Sequence, residues 1–214
     1  MNFTSLSVRL RASVLFAATL AAGCATAPTV DYDKLALEMI KGSFRAQGQA
    51  TVDRIQQDDV QRICSGRTPS PADIKRIETA ELATIRPPSN GRYLGDWREG
   101  EKLAQNGRGM TWTDPANAPA GGNCYNCHQL SKAEISFGTI GPSLYHYGKL
   151  RGVDDPASPA AAPIVQYTWG KIYNAKAYNA CSEMPRFGHA KVLSEQQMQD
   201  LMALLLDPKS PVNQ

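Results

Sequence analysis

No stretch of this 214-residue chain is apolar for long enough to cross a bilayer. The longest, Ala12 to Ala22, reads "ASVLFAATLAA" and holds 11 residues, where a helix spanning a core of roughly 30 Å needs about 20. Runs of basic residues are missing as well. The formal charge is +3 and falls to +1 once Arg9 and Arg11 are removed with residues 1–23, so the sequence pI of about 8.6 overstates the mature chain. A balance this close to neutral argues against nucleic acid as a partner. There is no internal repeat, no low-complexity tract and no strand-helix-strand pattern. With 42% apolar and 20% charged residues, the chain can bury one ordinary core, with room for a smaller appendage.

The short apolar run has a meaning of its own. Arg9 and Arg11 precede it with no acid, and Gly23 and Cys24 follow. A positive start, a brief apolar stretch and small residues at the end describe a secretory signal over residues 1–23. "LAAGC" resembles a bacterial lipoprotein box, in which the cysteine is lipidated and becomes the mature N-terminus. Leu20 stands one place earlier than the usual pattern, so lipidation of Cys24 and an ordinary cut nearby are both open. Either route predicts export, to the periplasm of a bacterium, and lipidation would tether the chain to a membrane.

Export gives the five cysteines an oxidising setting. Cys24 lies at the processing site, and Cys124 and Cys127 share a motif. Cys64 and Cys181 are left over, and two spare thiols in a secreted chain predict a disulfide; a metal ligand or an interface thiol is the alternative.

Helical signals precede the motif. Asp31 to Ala50 is loosely periodic through Leu35, Leu37, Met39, Ile40 and Phe44, and Val52 to Ile63 reads as a second helix. A third opens where Ser70 can cap and Pro71 suits the first helical position. Residues 24–90 thus form an N-terminal helical extension that ends in "RPPSNGRY", residues 86–93, a linker or turn. A helix over Trp97 to Gln105 follows, closed by Asn106 and Gly107 as a C-terminal cap. Gly138 to Phe187 shows little periodicity, and so long an irregular stretch in a compact domain needs something to wrap around. The last helix is announced by a capping box, Ser194 with Gln197, and carries Met198, Leu201, Met202, Leu204 and Leu205 on one face.

The motif is "GGNCYNCHQL", residues 121–130. Two thiols three residues apart leave the same side of one turn, so both can add to the vinyl groups on one edge of a haem. His128 then lies over the porphyrin face within reach of the iron, which is the c-type attachment pattern. Zinc would require a fourth ligand at matching spacing, whereas the remaining cysteines and histidines of the mature chain are scattered singly. A thioredoxin-like redox pair lacks its flanking fold, and a disulfide within the motif would close a strained small loop.

One covalent haem with His128 as a ligand leaves a sixth iron position. Met184, in "CSEMPRFGH", lies 56 residues beyond His128 in the stretch that must wrap around something. Pro185 stiffens that loop, and a thioether raises the reduction potential relative to a second imidazole. The competing readings are a core role for Met184 and ligation by His146 or His189. Met198 and Met202 read as core. A backbone carbonyl near Pro142, in "GTIGPSL", stands where it can receive the second ring proton of His128. Tyr145, Tyr147, Trp169 and Lys149 are either propionate partners or ordinary structural residues.

A helix before the motif, a methionine loop and a final amphipathic helix together resemble the class I cytochrome c domain over about residues 92–208. The resemblance implies an all-α fold, with the first and last helices crossing beside the haem and the Pro142 carbonyl receiving the His128 proton. It places a monohaem cytochrome domain at residues 91–214. More narrowly, "GNCYNCHQL", "GTIGPSL", "YNACSEMPRFGH" and the ending "LSEQQMQDLMALLLDPKSPVN" resemble SoxX, the monohaem cytochrome subunit of the SoxAX complex of bacterial sulfur oxidation. That likeness implies thioether anchors at Cys124 and Cys127 and the axial pair His128 and Met184. It also implies a heterodimer with SoxA, and the SoxAX complex is the L-cysteine S-thiosulfotransferase that joins thiosulfate to a cysteine of the carrier SoxYZ. In that family SoxA holds the active-site haem, and the SoxX chain accepts electrons and passes them to a small cytochrome c. A chain of this kind has no catalytic residues of its own. The alternative is a free-standing periplasmic electron carrier.

Overall fold

The computed structural model describes residues 29–66 and 68–214, so the signal segment and Cys24 lie outside the described residues. Among the described residues there are six α-helices, several short 3-10 turns and no strands, as expected for an all-α chain. Two compact units are separated near residue 44. The first contains α1, Tyr32–Ser43, which is capped by the Asp31 carboxylate accepting from the Lys34 N–H and has no buried residue.

The second unit starts at Arg45 and runs to the C-terminus. The sequence divides extension from domain near residue 90, but residues 45–90 belong to this same unit. Their expected helix over 52–63 is two elements, a 3-10 turn Val52–Ile55 and α2, Asp59–Gly66. The break has a local cause. Asp58 Oδ1 accepts from the Gln61 N–H at 2.7 Å and Gln61 Oε1 accepts from the Asp58 N–H at 2.7 Å, a reciprocal cap that starts a new helix at residue 59. Helix α3, Pro71–Leu82, begins at the Ser70 cap with Pro71 in its first turn.

Helix α4 spans Trp97–Gln105 as expected, capped by Asp96. Its C-terminus differs from the expected glycine cap: Asn106 leaves in extended conformation and Gly107 is not among the left-handed glycines. The Asn106 carbonyl instead accepts the Asn123 N–H at 3.1 Å, which ties the helix end to the cysteine motif.

Helix α5, Ala162–Tyr173, lies inside the stretch whose sequence has no clear period. Val165, Thr168, Trp169, Gly170 and Ile172 are all buried, because the helix is covered on more than one side. Trp169 donates from Nε1 to the Arg86 carbonyl at 2.7 Å and meets Tyr93 edge-on at 5.6 Å, while Gly170 fits against the Tyr178 hydroxyl and Ile85. Its wet face is narrow, with Pro163, Gln166 and Tyr167 exposed, and the buried Val165, Thr168, Trp169 and Ile172 keep the helical spacing on the other side.

Helix α6, Glu195–Leu206, opens on the Ser194 and Gln197 capping box. Every residue from Met198 to Leu206 is buried, so Met198 and Met202 are core as expected, and the expected single apolar face is instead burial all round. Helix α4 packs on it most extensively, and the C-terminal tail closes over it. Asn213 Nδ2 donates to the Leu205 carbonyl at 3.1 Å and Ser210 Oγ to the Leu204 carbonyl at 2.6 Å. Its two polar buried side chains are fully used. Gln199 donates to the Arg92 carbonyl at 2.7 Å and to Asn90 Oδ1 at 2.9 Å, and Asp200 accepts the Asp96 N–H at 2.9 Å. Residues 86–93 are therefore a packed clamp on α5 and α6 more than a linker, although Gly91 does turn the chain through a φ of 71°.

Candidate haem site among glycine loops

The motif is placed by backbone that tolerates no side chains. Gly121 lies so close to the Asn106 carbonyl that a Cβ would overlap it, and Gly122 rests against Cys124 Sγ and Leu201 of α6. Asn123 then takes a left-handed φ of 48°, a conformation that asparagine accepts more readily than most residues. The 3-10 turn Cys124–Asn126 follows. The Cys124 carbonyl accepts from both the Cys127 N–H at 3.1 Å and the His128 N–H at 2.9 Å, so one turn presents both thiols and the imidazole.

A second loop lies alongside in step. Gly138 N–H donates to the Tyr125 carbonyl at 2.8 Å, Gly141 N–H to Cys127 at 2.9 Å and Leu144 N–H to Gln129 at 2.8 Å. A Cβ at Gly138 would overlap the Asn126 carbonyl, and one at Gly141 would overlap the His128 ring. This close approach brings His128 Nδ1 to 2.7 Å from the Pro142 carbonyl. A carbonyl only accepts, so Nδ1 carries the proton and Nε2 keeps its lone pair.

Cys124 and Cys127 are free thiols, each partly buried. Burial pushes the Cys124 thiol up to about 12; a backbone hydrogen bond opposes this in part and Cys127 adds to it. Redox-active Cys-x-x-Cys pairs depend on the opposite shift, toward thiolate. Among the described residues no group of three or more His, Cys, Asp or Glu is arranged to hold a metal ion. Two partly buried free thiols on one turn, beside a histidine whose free nitrogen is Nε2, fit covalent attachment to haem vinyl groups.

Cys124, Leu144 and Met184 pack partly buried against one core cluster, which contains Trp169, Met198, Met202 and Leu205. His146 takes a left-handed φ of 58°, stacks on Tyr145 at 3.7 Å and pairs through Nε2 with the Gln214 carbonyl at 2.7 Å, while His189 is exposed. The aromatic propionate candidates have other partners: Tyr145 donates to the Gln214 carbonyl at 2.8 Å, Tyr147 pairs with Thr168 Oγ1 at 2.9 Å and Trp169 bonds Arg86. Lys149 is exposed. The expected disulfide is present: Cys64 and Cys181 are bonded across 117 residues.

Sequence reasoning missed Gly141 as a site residue. Its signal is a glycine followed by proline within a short loop after the motif, which marks a turn; only the distance to His128 reveals the cradle.

An all-helical fold that sets a Cys-x-x-Cys-His turn against a glycine loop is that of a haem-binding electron-transfer protein. Residues 98–208 match the cytochrome c family, and the chain belongs to it. Membership implies covalently bound haem c. The chain is also similar to an uncharacterised lipoprotein of Aquifex aeolicus (strain VF5), with 35% identity over 161 residues, 73% of each chain. No helix among the described residues is long and apolar enough to cross a membrane.

Proposed function

We propose that this electron-transfer haem protein is the SoxX-type subunit of a periplasmic SoxAX complex. It takes up electrons released when thiosulfate is joined to a cysteine of SoxYZ and passes them to a small cytochrome c. The haem, anchored at Cys124 and Cys127, supplies one-electron exchange at its iron. The observation that carries the ligation is the His128 pairing with Pro142 at 2.7 Å, which holds the ring and leaves Nε2 for the iron. Met184, partly buried against the same core cluster as Cys124, would be the second ligand; His146 is engaged at the C-terminus.

A haem held by both His128 and Met184 would leave no place for substrate at the iron, and the chain's residues would act by orienting the ligands and excluding water. Oxidative conjugation of a thiol with thiosulfate forms one S–S bond and releases one proton and two electrons. A chain with one attachment motif accepts those electrons one at a time, so SoxA must hand them over in two steps.

The sulfur-oxidation role rests on the likeness of the four segments around the motif, Pro142, Met184 and α6. Lipidation of Cys24, and with it a membrane tether, is supported by the similar lipoprotein and by the "LAAGC" context. Purification of the tagged full chain from its native host, with haem counted per complex, tests the reading. A stable haem-bearing partner is expected, with haem reduction by thiosulfate only when that partner and a carrier thiol are present. A lone monomer that exchanges electrons freely with other cytochromes, with no partner at any stage, would favour the free-standing carrier instead.

A further inference from the structure

The extension reaches the Met184 loop at both of its ends. Cys181, three residues before Met184, is bonded to Cys64 of α2. Arg186, two residues after it, donates from Nη2 to Asp58 at 2.6 Å and lies 3.6 Å from Glu81 through Nη1. The Arg186 side chain is 17% exposed and Glu81 10%, while Asp58 is more open, at 39%. The anchors are themselves fixed. Asp58 caps α2, Glu81 accepts from Asn174 Nδ2 at 2.6 Å, and Glu78 accepts the Ala180 N–H at 3.2 Å.

Packing does not replace these links. A cavity of ≈ 350 Å³ separates Gln57, Gln61 and Ser65 from Glu183, Met184 and Pro185. The seam is joined at its edges and open in the middle, while the Met184 N–H is satisfied locally, by Ser182 Oγ at 3.3 Å. The first part of the extension holds the other side of the site in the same way. Arg54 donates to the Met110 carbonyl at 2.8 Å and Gln49 to the Ala118 carbonyl at 2.7 Å, so one segment binds the loop before the motif and the loop bearing Met184.

We propose that residues 58–66 and 68–81 strap the distal-ligand loop: Asp58 and Glu81, through Arg186, and Cys64, through Cys181, position Met184 for the iron. These are positioning residues; none reaches the haem. The inference rests on Met184 being the axial ligand, as proposed above. A thioether bond to iron is weak enough to break and reform, so whatever restrains the loop sets how often the iron is exposed and how readily an outside ligand enters.

Imidazole uptake by the ferric holoprotein measures that opening, because Met184 must leave first. The variants are Asp58→Asn, which keeps the helix cap and removes the charge, and the double variant Cys64→Ser/Cys181→Ser. Asp59→Asn is the control, since the Asp59–Arg62 pair is exposed and far from the loop in its contacts. The limiting uptake rate is expected to rise about tenfold or more in Asp58→Asn and in the double variant, as loss of a charged hydrogen bond would give, with both thioethers intact. Asp59→Asn should match the wild type. Asp58→Glu should restore most of the slow rate. Equal rates in wild type, Asp58→Asn and the double variant, whatever their melting temperatures, would overturn the strap while leaving Met184 as ligand. If the double variant does not fold, Asp58→Asn decides alone. A wild-type protein without a methionine-to-iron charge-transfer band would overturn the ligation, and the strap with it.

Discussion

Gly141→Ala tests the way this protein orients its histidine. The added Cβ would meet the Cε1, Nδ1 and Nε2 atoms of His128 together, so a small adjustment cannot relieve it. The loop is pinned on both sides of the clash, by Gly141 N–H to Cys127 and Leu144 N–H to Gln129, and in the holoprotein proposed above the iron would pin the ring as well. The loop must therefore yield, at about 1–3 kcal/mol of stability, the usual cost of overpacking. As it moves, the 2.7 Å bond to Pro142 stretches or breaks. That bond makes the imidazole a stronger donor and favours the ferric state. If its loss weakens the ferric preference by ~1 kcal/mol, the reduction potential rises by roughly 40 mV, since 59 mV corresponds to a tenfold change for one electron. Spectroelectrochemical titration of the holoprotein reads the potential, and guanidinium unfolding reads the stability. A potential that stays put or falls while both axial ligands are retained would refute the reasoning.

Three further perturbations have clear signs. Gly100→Ala gains about 1 kcal/mol of helix propensity, but its Cβ would overlap the Asp200 carbonyl of α6. Because backbone cannot swing aside, overpacking of ~1–3 kcal/mol prevails and denaturation should show a net loss. Trp169→Phe leaves the Arg86 carbonyl without its 2.7 Å donor and should cost about 1–3 kcal/mol by the same assay, with an unchanged haem spectrum. For Asp58, burial works to raise the carboxyl, but the Gln61 N–H, Arg186 and Lys176 together hold it below its ordinary 3.8. Its contribution is then complete above that value and lost as pH falls through the lower folded value, so acid unfolding of Asp58→Asn should be less steep than that of the wild type.

Local chemistry carried much of this structure. Ser194 with Gln197 predicts the start of α6, Ser70 with Pro71 that of α3, and the leftover thiols Cys64 and Cys181 find each other. The same rule, applied to Asp58 and Gln61, would have split the helix expected over 52–63, since a carboxylate caps as well as a hydroxyl. Helix α5 was hidden for a different reason. "APIVQYTWGKIY" does carry the period, with Val165, Thr168, Trp169 and Ile172 buried and Pro163, Gln166 and Tyr167 exposed, but an aromatic on the wet side and a threonine on the dry side blur it. The clamp itself looked like a linker because prolines and Asn-Gly mark turns whether the turn is free or packed; the glutamine that holds it, Gln199, is more than a hundred residues away. Gly141 was legible as a turn and not as a cradle, because a glycine's space is defined by what approaches it, here His128 across 13 residues of loop.

Near-infrared magnetic circular dichroism of the ferric holoprotein bears most directly on a closed haem held by His128 and Met184. The expected result is the charge-transfer signature of histidine–methionine ligation, lost in Met184→Ala while the covalent haem remains. A bis-histidine or open-site signature in the wild type would contradict the account.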